Sequence, residues 1–344
     1  MIENHGLILG KFYPPHLGHL HLIREAKKHC NHLTVLVATL KRELIPGSLR
    51  FQWMKELTED LPAHVVWVQD ENPQYPEEDP IQFWEIWKKT ILSHSPAPID
   101  VLFTSESYGD PLAKVLGTKH QIIDLERKAV PISASKIRNN PADYWEFIPE
   151  IERPFFLKRV VLTGSESVGK TVLSEKLANH FKTEWAPEFA REYLDAKGRF
   201  VERDDIFEIA EGHLLSEMKK AETANRILFL DTDLLTTKIY AEHYFDLKYD
   251  WLQERAYQLQ YDSSLFLDID IPWVEDPLRD LGDIRKEMKQ KFISEMNLAK
   301  RDFTLISGGF PEREKQAVEI VEAILKEPMN PSYFTSKQIS LRNV

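Results

Sequence analysis

The sequence predicts an α/β protein with two domains, each built on a parallel sheet flanked by helices. The chain has 344 residues, which is a comfortable length for two domains of ordinary size. Short apolar runs alternate with segments of helical periodicity, as they do when buried parallel strands are joined by helices. This alternation is interrupted after Pro141 and restarts at Lys158. We therefore expect a first domain at residues 1–148, a linker at 149–157, a second domain at 158–327 and a loose tail at 328–344.

The first half contains five apolar runs typical of buried strands. The run GLILGKF opens the series, and its glycines mark the ends of a short strand. Helical spacing of leucine and isoleucine predicts a helix directly after it. The predicted strands are Gly6–Phe12, His32–Leu40, 64–70, 99–106 and 120–126, and the predicted helices are 17–29 and 81–93.

The second half repeats this organisation without repeating the sequence. Pro149 and Pro154, set among charged residues, favour a linker before it. The tail from residue 328 is polar and has no periodicity. The predicted strands are Lys158–Gly164, Arg226–Asp233, Ser263–Asp270 and Asp302–Gly309, and the predicted helices are Arg203–Ala224 and Arg313–Lys326.

Composition excludes several functional classes. The formal net charge of −11 argues against a general nucleic-acid-binding surface. Cys30 is the single cysteine, which excludes an intrachain disulfide and a cysteine-based zinc site. The sequence has no apolar run of about 18 residues, the length of a membrane helix, and its start does not resemble a signal peptide. We expect a cytoplasmic protein that binds small molecules rather than nucleic acid or membrane. A homo-oligomer is compatible with the sequence.

The segment GSESVGKT fits the P-loop pattern G-x-x-x-x-G-K-[ST], and it lies between a predicted strand and a predicted helix. In such a loop, backbone N–H groups and the helix N-terminus cradle phosphates. Lys170 would reach the terminal phosphates of ATP, and the Thr171 hydroxyl would bind Mg²⁺. The alternative is a glycine-rich turn that matches by chance. The predicted phosphate-binding residues are Gly164, Ser165, Glu166, Ser167, Val168, Gly169, Lys170 and Thr171.

Three further segments of the second half carry candidate catalytic groups. Asp231 and Asp233 end a predicted strand, where one could hold Mg²⁺ and the other could accept a proton from a hydroxyl. Arg279 follows another strand and could close over phosphates, or pair with a neighbouring aspartate. Glu188 and Arg191 are one helical turn apart and could bind a small polar acceptor, or form a surface ion pair.

The segment GKFYPPHLGH places two histidines at the start of a predicted helix. His16 precedes the helix and His19 lies in its first turn, so both imidazoles would meet the helix N-terminus, which suits an anion. Gly18 leaves room for a ligand to approach the backbone. A zinc site and a cap with surface histidines are the alternatives. Farther along, Ser133, Ser135, Lys136 and Arg138 predict a second anion cradle, and the two together suit a triphosphate.

These residues resemble a known family. The pattern GxFxPxHxGH with a later ISxSxIR resembles the nucleotidylyltransferase superfamily, and the P-loop that follows narrows the likeness to NadR-type proteins. Those are bifunctional nicotinamide-nucleotide adenylyltransferases and ribosylnicotinamide kinases, and FTSESYG, EFAREY and PWVEDPLRDLG are similar to them as well. The resemblance implies a Rossmann-like nucleotidylyltransferase domain followed by a P-loop kinase domain. Some members begin with a DNA-binding helix-turn-helix, for which this sequence leaves no room before Gly6.

The resemblance also implies residue roles. Gly10, Phe12, Gly18, His16 and His19 would surround the ATP phosphates, and Ser133, Ser135 and Arg138 would hold the β- and γ-phosphates. Trp87 is a candidate for stacking on the nicotinamide ring, or else a core tryptophan. Lys11, Arg50 and Arg127 are candidate phosphate ligands. In the second domain Asp231 or Asp233 would activate the 5′-hydroxyl of nicotinamide riboside, and Arg279 would belong to a lid.

The predicted function is therefore synthesis of NAD in two steps. The kinase would convert nicotinamide riboside and ATP to nicotinamide mononucleotide (NMN), and the transferase would join NMN to AMP from a second ATP, releasing pyrophosphate. Two alternatives remain open at this stage: the same architecture acting on another nucleoside and nucleotide, or a regulator that senses ATP or NAD with little turnover.

Overall fold

The computed structural model describes residues 4–76, 80–274 and 281–329. The chain divides into two compact units, residues 1–152 and 153–344. Within the described residues, no helix has both the length and the apolar character needed to cross a membrane.

The first unit is a five-stranded parallel sheet in the order β3-β2-β1-β4-β5. Its strands are β1 His5–Gly10, β2 His32–Thr39, β3 Ala63–Gln69, β4 Val101–Thr104 and β5 Lys119–Ile122. Its helices are α1 Leu17–Lys27, α2 Gly47–Leu57, α3 Pro80–His94, α4 Gly109–Leu116 and α5 Ala134–Asn139.

Side chains of this sheet alternate between two cores, because successive residues of a strand face opposite sides. Ile8 of β1 packs with Ile23 of α1 on one side. Leu7, its neighbour in the strand, packs on the other side with Ile91 of α3 and Leu112 of α4. Burial on both faces explains why the inner strands β1, β2 and β4 are largely apolar, as the sequence predicted.

The second unit is also a five-stranded parallel sheet, in the order β10-β9-β6-β8-β7. Its strands are β6 Lys158–Thr163, β7 Trp185–Ala186, β8 Ile227–Asp231, β9 Ser263–Leu267 and β10 Thr304–Ile306. Its helices are α6 Arg153–Phe156, α7 Lys170–Phe181, α8 Phe189–Lys197, α9 Asp205–Thr223, α10 Leu234–Phe245, α11 Asp250–Gln258, α12 Arg285–Leu298 and α13 Phe310–Ile324.

The predicted fold class is confirmed. Around the expected linker at 149–157 the chain forms helical turns at Trp145–Phe147, just before it, and at Glu150–Glu152, followed by α6. Trp145, Ile148 and Phe156 are buried, so apolar packing orders this stretch. The exact domain boundaries stay a prediction, and the tail beyond residue 329 lies outside the described residues.

The order of the strands determines where loops gather. In the first sheet β1 pairs with β2 on one side and with β4 on the other, which makes the β1/β4 junction the point where strand order reverses. Loops at the carboxyl ends diverge at such a junction and leave a crevice. In the second sheet β6 is central, between β8 and β9. Each crevice lies where the candidate residues were predicted.

Candidate active sites

The first unit has a cleft of about 600 Å³ at the carboxyl ends of β1 and β4. Segments that are more than 100 residues apart in the chain meet there. The turn that carries His16 and His19 (the histidine turn) follows β1, and the segment from Ser133 to Arg138 (the serine cradle) caps and forms α5. The predicted residues that line this cleft are Gly10, Lys11, Phe12, His16, Gly18, His19, Trp87, Arg127, Ser133, Ser135 and Arg138.

The two histidines form a stacked pair at the start of α1. His16 caps the helix, with its Nδ1 accepting a hydrogen bond of 3.3 Å from the backbone N–H of His19. The two rings stack with centroids 3.7 Å apart, and the edge of Phe12 meets His19 at 4.9 Å. A Cβ on Gly18 would lie 3.0 Å from the ring of His16, so glycine permits this close approach.

Both imidazoles are uncharged in the free protein. Burial, with repulsion from Arg127 second, lowers the pKa of His16 from 6.5 to about 3. Burial also lowers the pKa of His19 well below its ordinary value, and His16 and Arg127 add to the effect. The Nδ1 of His19 is buried without a hydrogen-bond partner. The pair thus presents neutral rings with unused hydrogen-bonding capacity beside a helix N-terminus.

The serine cradle is joined directly to the histidine turn. Ser133 caps α5 by accepting from the backbone N–H of Lys136. Arg138 donates to Ser135 Oγ at 3.2 Å and to the carbonyl of Tyr13, and its guanidinium lies 4.4 Å from the centre of the Tyr13 ring. The two motifs that the sequence separates by 120 residues therefore share one wall of the cleft.

Arg50 does not line the cleft, which corrects its prediction as a phosphate ligand. Its side chain is fully buried, pairs with Glu43 and donates to the carbonyl of Lys11 at 2.7 Å. With these groups occupied, Arg50 supports the histidine turn from behind rather than facing a ligand. Lys11, in contrast, is half exposed and lies 3.5 Å from Glu43.

Other cleft residues are held by the loops that follow β4 and β5. Arg127 donates to the carbonyl of Ile132 at 3.2 Å and to Glu106 at 3.1 Å. Trp87 donates its indole N–H to the carbonyl of Pro73 at 3.0 Å, and its ring borders the cleft. Tyr108 lines the cleft too and was not predicted; its hydroxyl donates to the carbonyl of Leu9 at 2.7 Å.

The second unit has a cleft of about 990 Å³ beside the P-loop. The walls combine the end of the P-loop with α8 and with the facing sides of α9 and α10. Part of its lining is apolar and aromatic, which the sequence did not indicate. This part is formed by Ile206, Ile209, Tyr240 and Tyr244. The predicted residues that line this cleft are Glu166, Ser167, Val168, Gly169, Lys170, Thr171, Glu188, Arg191 and Asp231.

The P-loop curls between β6 and α7 through backbone conformations that favour glycine. Gly164 has φ 142° and Gly169 has φ 82°. A Cβ on Gly164 would lie 2.9 Å from the carbonyl oxygen of Leu267, so a side chain is excluded there. Lys170 folds back, and its Nζ donates to the carbonyls of Gly164 and Ser165, each at 3.1 Å. The ammonium thus lies inside the loop that is predicted to hold phosphates.

Asp231 lies in the second cleft and Asp233 does not. Asp231 is fully buried, and its Oδ2 accepts from Thr171 Oγ1 at 2.6 Å. Thr232, between the two aspartates, has φ 74°, which is rare for a β-branched residue and breaks the alternation of a strand. Asp233 instead caps α10 through the N–H of Thr236 and forms a buried ion pair with Arg301. The prediction that Asp233 serves the site is therefore corrected.

Glu188 and Arg191 lie on the same wall, at the start of α8. The backbone N–H of Arg191 donates to the carbonyl of Glu188 at 3.1 Å, and its side chain meets Asp195 at 3.1 Å. Both residues border the cleft, as an acceptor-binding pair would. Arg279, the predicted lid arginine, lies outside the described residues.

Two arginines that sequence reasoning missed hold the P-loop in place. Buried Arg313 donates to the carbonyls of Val168 at 2.6 Å, Asp268 at 2.8 Å and Gly308 at 2.8 Å. Arg285 donates to the carbonyl of Ser167 at 3.3 Å. No motif marks either residue, because they bind backbone carbonyls that come together only in the folded sheet.

The described residues contain no group of three or more histidine, cysteine, aspartate or glutamate side chains arranged as a metal site. A hydroxyl and a carboxylate at a phosphate loop are nevertheless the oxygen donors that Mg²⁺ accepts when substrate phosphates complete its shell. Thr171 and Asp231 supply this pair.

Comparisons with known proteins agree with the division into two units. A cytidylyltransferase-like family model matches residues 7–140, and an AAA-domain model matches residues 159–313. The trifunctional NAD biosynthesis/regulator protein NadR of Escherichia coli (strain K12) is 29% identical over 94% of this chain and 83% of its own length. Its counterpart from Salmonella typhimurium is 29% identical over 94% of this chain and 84% of its own.

Solved structures have the same fold. A crystal structure of a NadR protein in complex with NR superposes with a TM-score of 0.79 at 21% identity, covering 95% of this chain and 98% of that one. A NadR protein in complex with NAD and AMP-PNP gives a TM-score of 0.76 over the same shares. The likeness extends through both units in the same order, so the chain is similar to NadR proteins over nearly its whole length.

Proposed function

We propose that this chain is a bifunctional enzyme of NAD synthesis, in which the second unit phosphorylates nicotinamide riboside and the first unit transfers AMP to the resulting NMN. The observation that carries the proposal is the presence of two phosphate sites of different design, one in each unit. The first has a stacked histidine pair and the second has a P-loop lysine. The relatives named above, including one with NAD and AMP-PNP bound, support the substrates.

In the first cleft, the phosphate of NMN attacks the α-phosphorus of ATP, and the bond to the bridging oxygen breaks to release pyrophosphate. The attacking phosphate is already a nucleophile, so the site needs to position and stabilise charge and needs no general base. His16 and His19 donate hydrogen bonds to the triphosphate from rings that are neutral before it binds. The approaching negative charge raises their pKa values and strengthens these bonds.

Ser133, Ser135 and Arg138 hold the departing pyrophosphate in this scheme. The helix N-terminus that Ser133 caps faces the cleft and favours negative charge. Arg138 exchanges its hydrogen bond to the Tyr13 carbonyl for hydrogen bonds to phosphate oxygens. Hydrogen bonds between two charged groups are stronger than a bond to a neutral carbonyl. Trp87 and Tyr108 supply an aromatic surface suited to a flat base.

In the second cleft, the 5′-hydroxyl of the riboside attacks the γ-phosphorus of ATP. The bond between the γ-phosphorus and the bridging oxygen breaks, ADP leaves, and the hydroxyl proton is finally released to solvent. Lys170 leaves its two loop carbonyls and binds the transferred phosphate, while the backbone N–H groups of the loop hold the chain of phosphates. Thr171 and Asp231 would hold Mg²⁺, which neutralises charge on the phosphates. Glu188 and Arg191 orient the acceptor's hydroxyl groups from α8.

The test is product formation from defined substrates. Purified protein incubated with ATP, Mg²⁺ and nicotinamide riboside should form NMN and then NAD, and failure to form either would refute the proposal. His19→Ala should abolish adenylyl transfer and spare the kinase, and Lys170→Ala should do the reverse. If either substitution removed both activities in a folded protein, the model of two independent sites would be wrong. A panel of other nucleosides tests the choice of base.

A further inference from the structure

Helix α8 forms a wall of the second cleft and is only weakly anchored by apolar packing. None of its residues is buried. Ala190, Arg191, Leu194 and Asp195 lie on one face, and this face lines the cleft. A helix of 9 residues is too short to be stable by itself, and most helices are stabilised by burying an apolar face. What holds α8 in place therefore decides the shape of the cleft.

One buried carboxylate joins α8 to the start of α9. Asp205, at the start of α9, is 2% exposed and accepts hydrogen bonds from Tyr193 Oη at 3.0 Å and Lys197 Nζ at 2.9 Å, both on α8. Arg199, in the loop that follows, binds it with both terminal nitrogens at 2.6 and 3.0 Å. The backbone N–H of Glu202 adds a bond of 2.8 Å.

Through these hydrogen bonds the Asp205 carboxylate links α8 and the loop after it to α9. The pairing with Arg199 is bidentate, which combines strength with a fixed orientation. The hydrogen bonds from Arg199, ahead of those from the other donors, hold the pKa of Asp205 well below its usual range, so its charge persists at neutral pH. The helices also meet at the Phe189 ring, which lies so close to Gly212 that an added Cβ would be 2.0 Å away.

We propose that Asp205 is a positioning residue for the acceptor in the second cleft: it fixes α8 so that Glu188 and Arg191 face the nucleoside. This inference rests on the proposed kinase function. The P-loop does not depend on Asp205, because Arg313 and Arg285 hold the loop from the other side of the cleft. Loss of the Asp205 contacts should therefore weaken binding of the nucleoside and leave binding of ATP largely unchanged.

The test is a split between kinetic constants. Asp205→Asn keeps the shape of the side chain and removes the charge that its donors require. We expect the KM for nicotinamide riboside to rise about tenfold or more, with the KM for ATP and kcat within about twofold of wild type. Asp204→Asn is the matched control, since Asp204 is exposed and makes no capping bond with its side chain. It should match wild type in every constant.

Two further variants test the same contact in case Asp205→Asn fails to fold. Arg199→Gln removes the bidentate pair from a partly exposed position, and Tyr193→Phe removes one hydroxyl while keeping the ring. Both should raise the nucleoside KM, Arg199→Gln more than Tyr193→Phe. Equal rises in both KM values, or an unchanged nucleoside KM in Asp205→Asn and Arg199→Gln, would overturn the inference. A wild-type protein that fails to phosphorylate the riboside would instead refute the proposed function.

Discussion

Burial and the nearby Arg127 lower the pKa values of His16 and His19, so the folded protein should lose stability in acid. The pKa of His16 is lowered from 6.5 to about 3, so between these values the unfolded chain binds a proton that the folded protein does not. Its contribution to stability is complete above pH 6.5 and is lost as the pH falls toward 3. His19 is shifted in the same direction.

His16→Asn should reduce this loss of stability in acid. Asparagine can still accept the capping bond from the backbone N–H of His19 but does not titrate. The free energy of opening at β1, followed by hydrogen exchange from pH 7 to pH 4.5, should fall less steeply than in wild type, by up to about 1.4 kcal/mol per pH unit. His64→Asn, on the exposed face of β3, is the control. Identical slopes in His16→Asn and wild type would contradict the burial of a neutral imidazole.

Single residues show where sequence reasoning reached its limit. The histidines, serines and P-loop residues lie where their motifs placed them, because each motif spans a strand end and a helix start whose local geometry is fixed. Asp231 and Asp233 could not be told apart, because Asp233 is occupied by Arg301, 68 residues away. Arg50 looked free for another reason: no motif marks its ion pair with Glu43, which lies in the loop before α2.

At the scale of elements, apolar runs predicted the strands well because both faces of each sheet are covered. The two-residue strand β7 was missed, since it is too short to have a period. The short helices at Glu150–Glu152 and Arg153–Phe156 were not predicted, because proline fits the first turn of a helix as readily as a loop. The sequence thus predicts the buried strands of each sheet, but not the short segments whose conformation depends on residues far away in the chain.

The P-loop is an element shaped partly by a distant helix. Arg313→Ala should free the carbonyls of Val168 and Gly308 and let the loop lose its alignment with β9. We expect the kinase kcat/KM for ATP to fall about 10²-fold, since small displacements of positioning groups have effects of this size. Lys315→Ala removes the same charge from an exposed site on α13 and should have no such effect. Adenylyl transfer should be unchanged in both variants, and an unaltered kinase in Arg313→Ala would refute the anchoring role.

At the scale of the molecule, each unit contains its own sheet, cores and cleft. The two reactions should therefore be separable even though one makes the substrate of the other. Mixing the His19→Ala and Lys170→Ala proteins should restore synthesis of NAD from nicotinamide riboside, with a lag while free NMN accumulates. Neither variant alone should form NAD from the riboside. A mixture that makes NMN and no NAD would show that the intermediate does not pass through solution.

Lys170, folded onto the carbonyls of its own loop, acts as an internal competitor of the ligand. Its two hydrogen bonds draw the loop around the ammonium group, which keeps its positive charge. A phosphate that binds this ammonium must replace two carbonyls as its hydrogen-bond partners. A nucleoside triphosphate offers further contacts along the loop that offset this exchange, whereas a single phosphate or sulfate offers few. We therefore expect the loop to bind long polyphosphates in preference to simple anions.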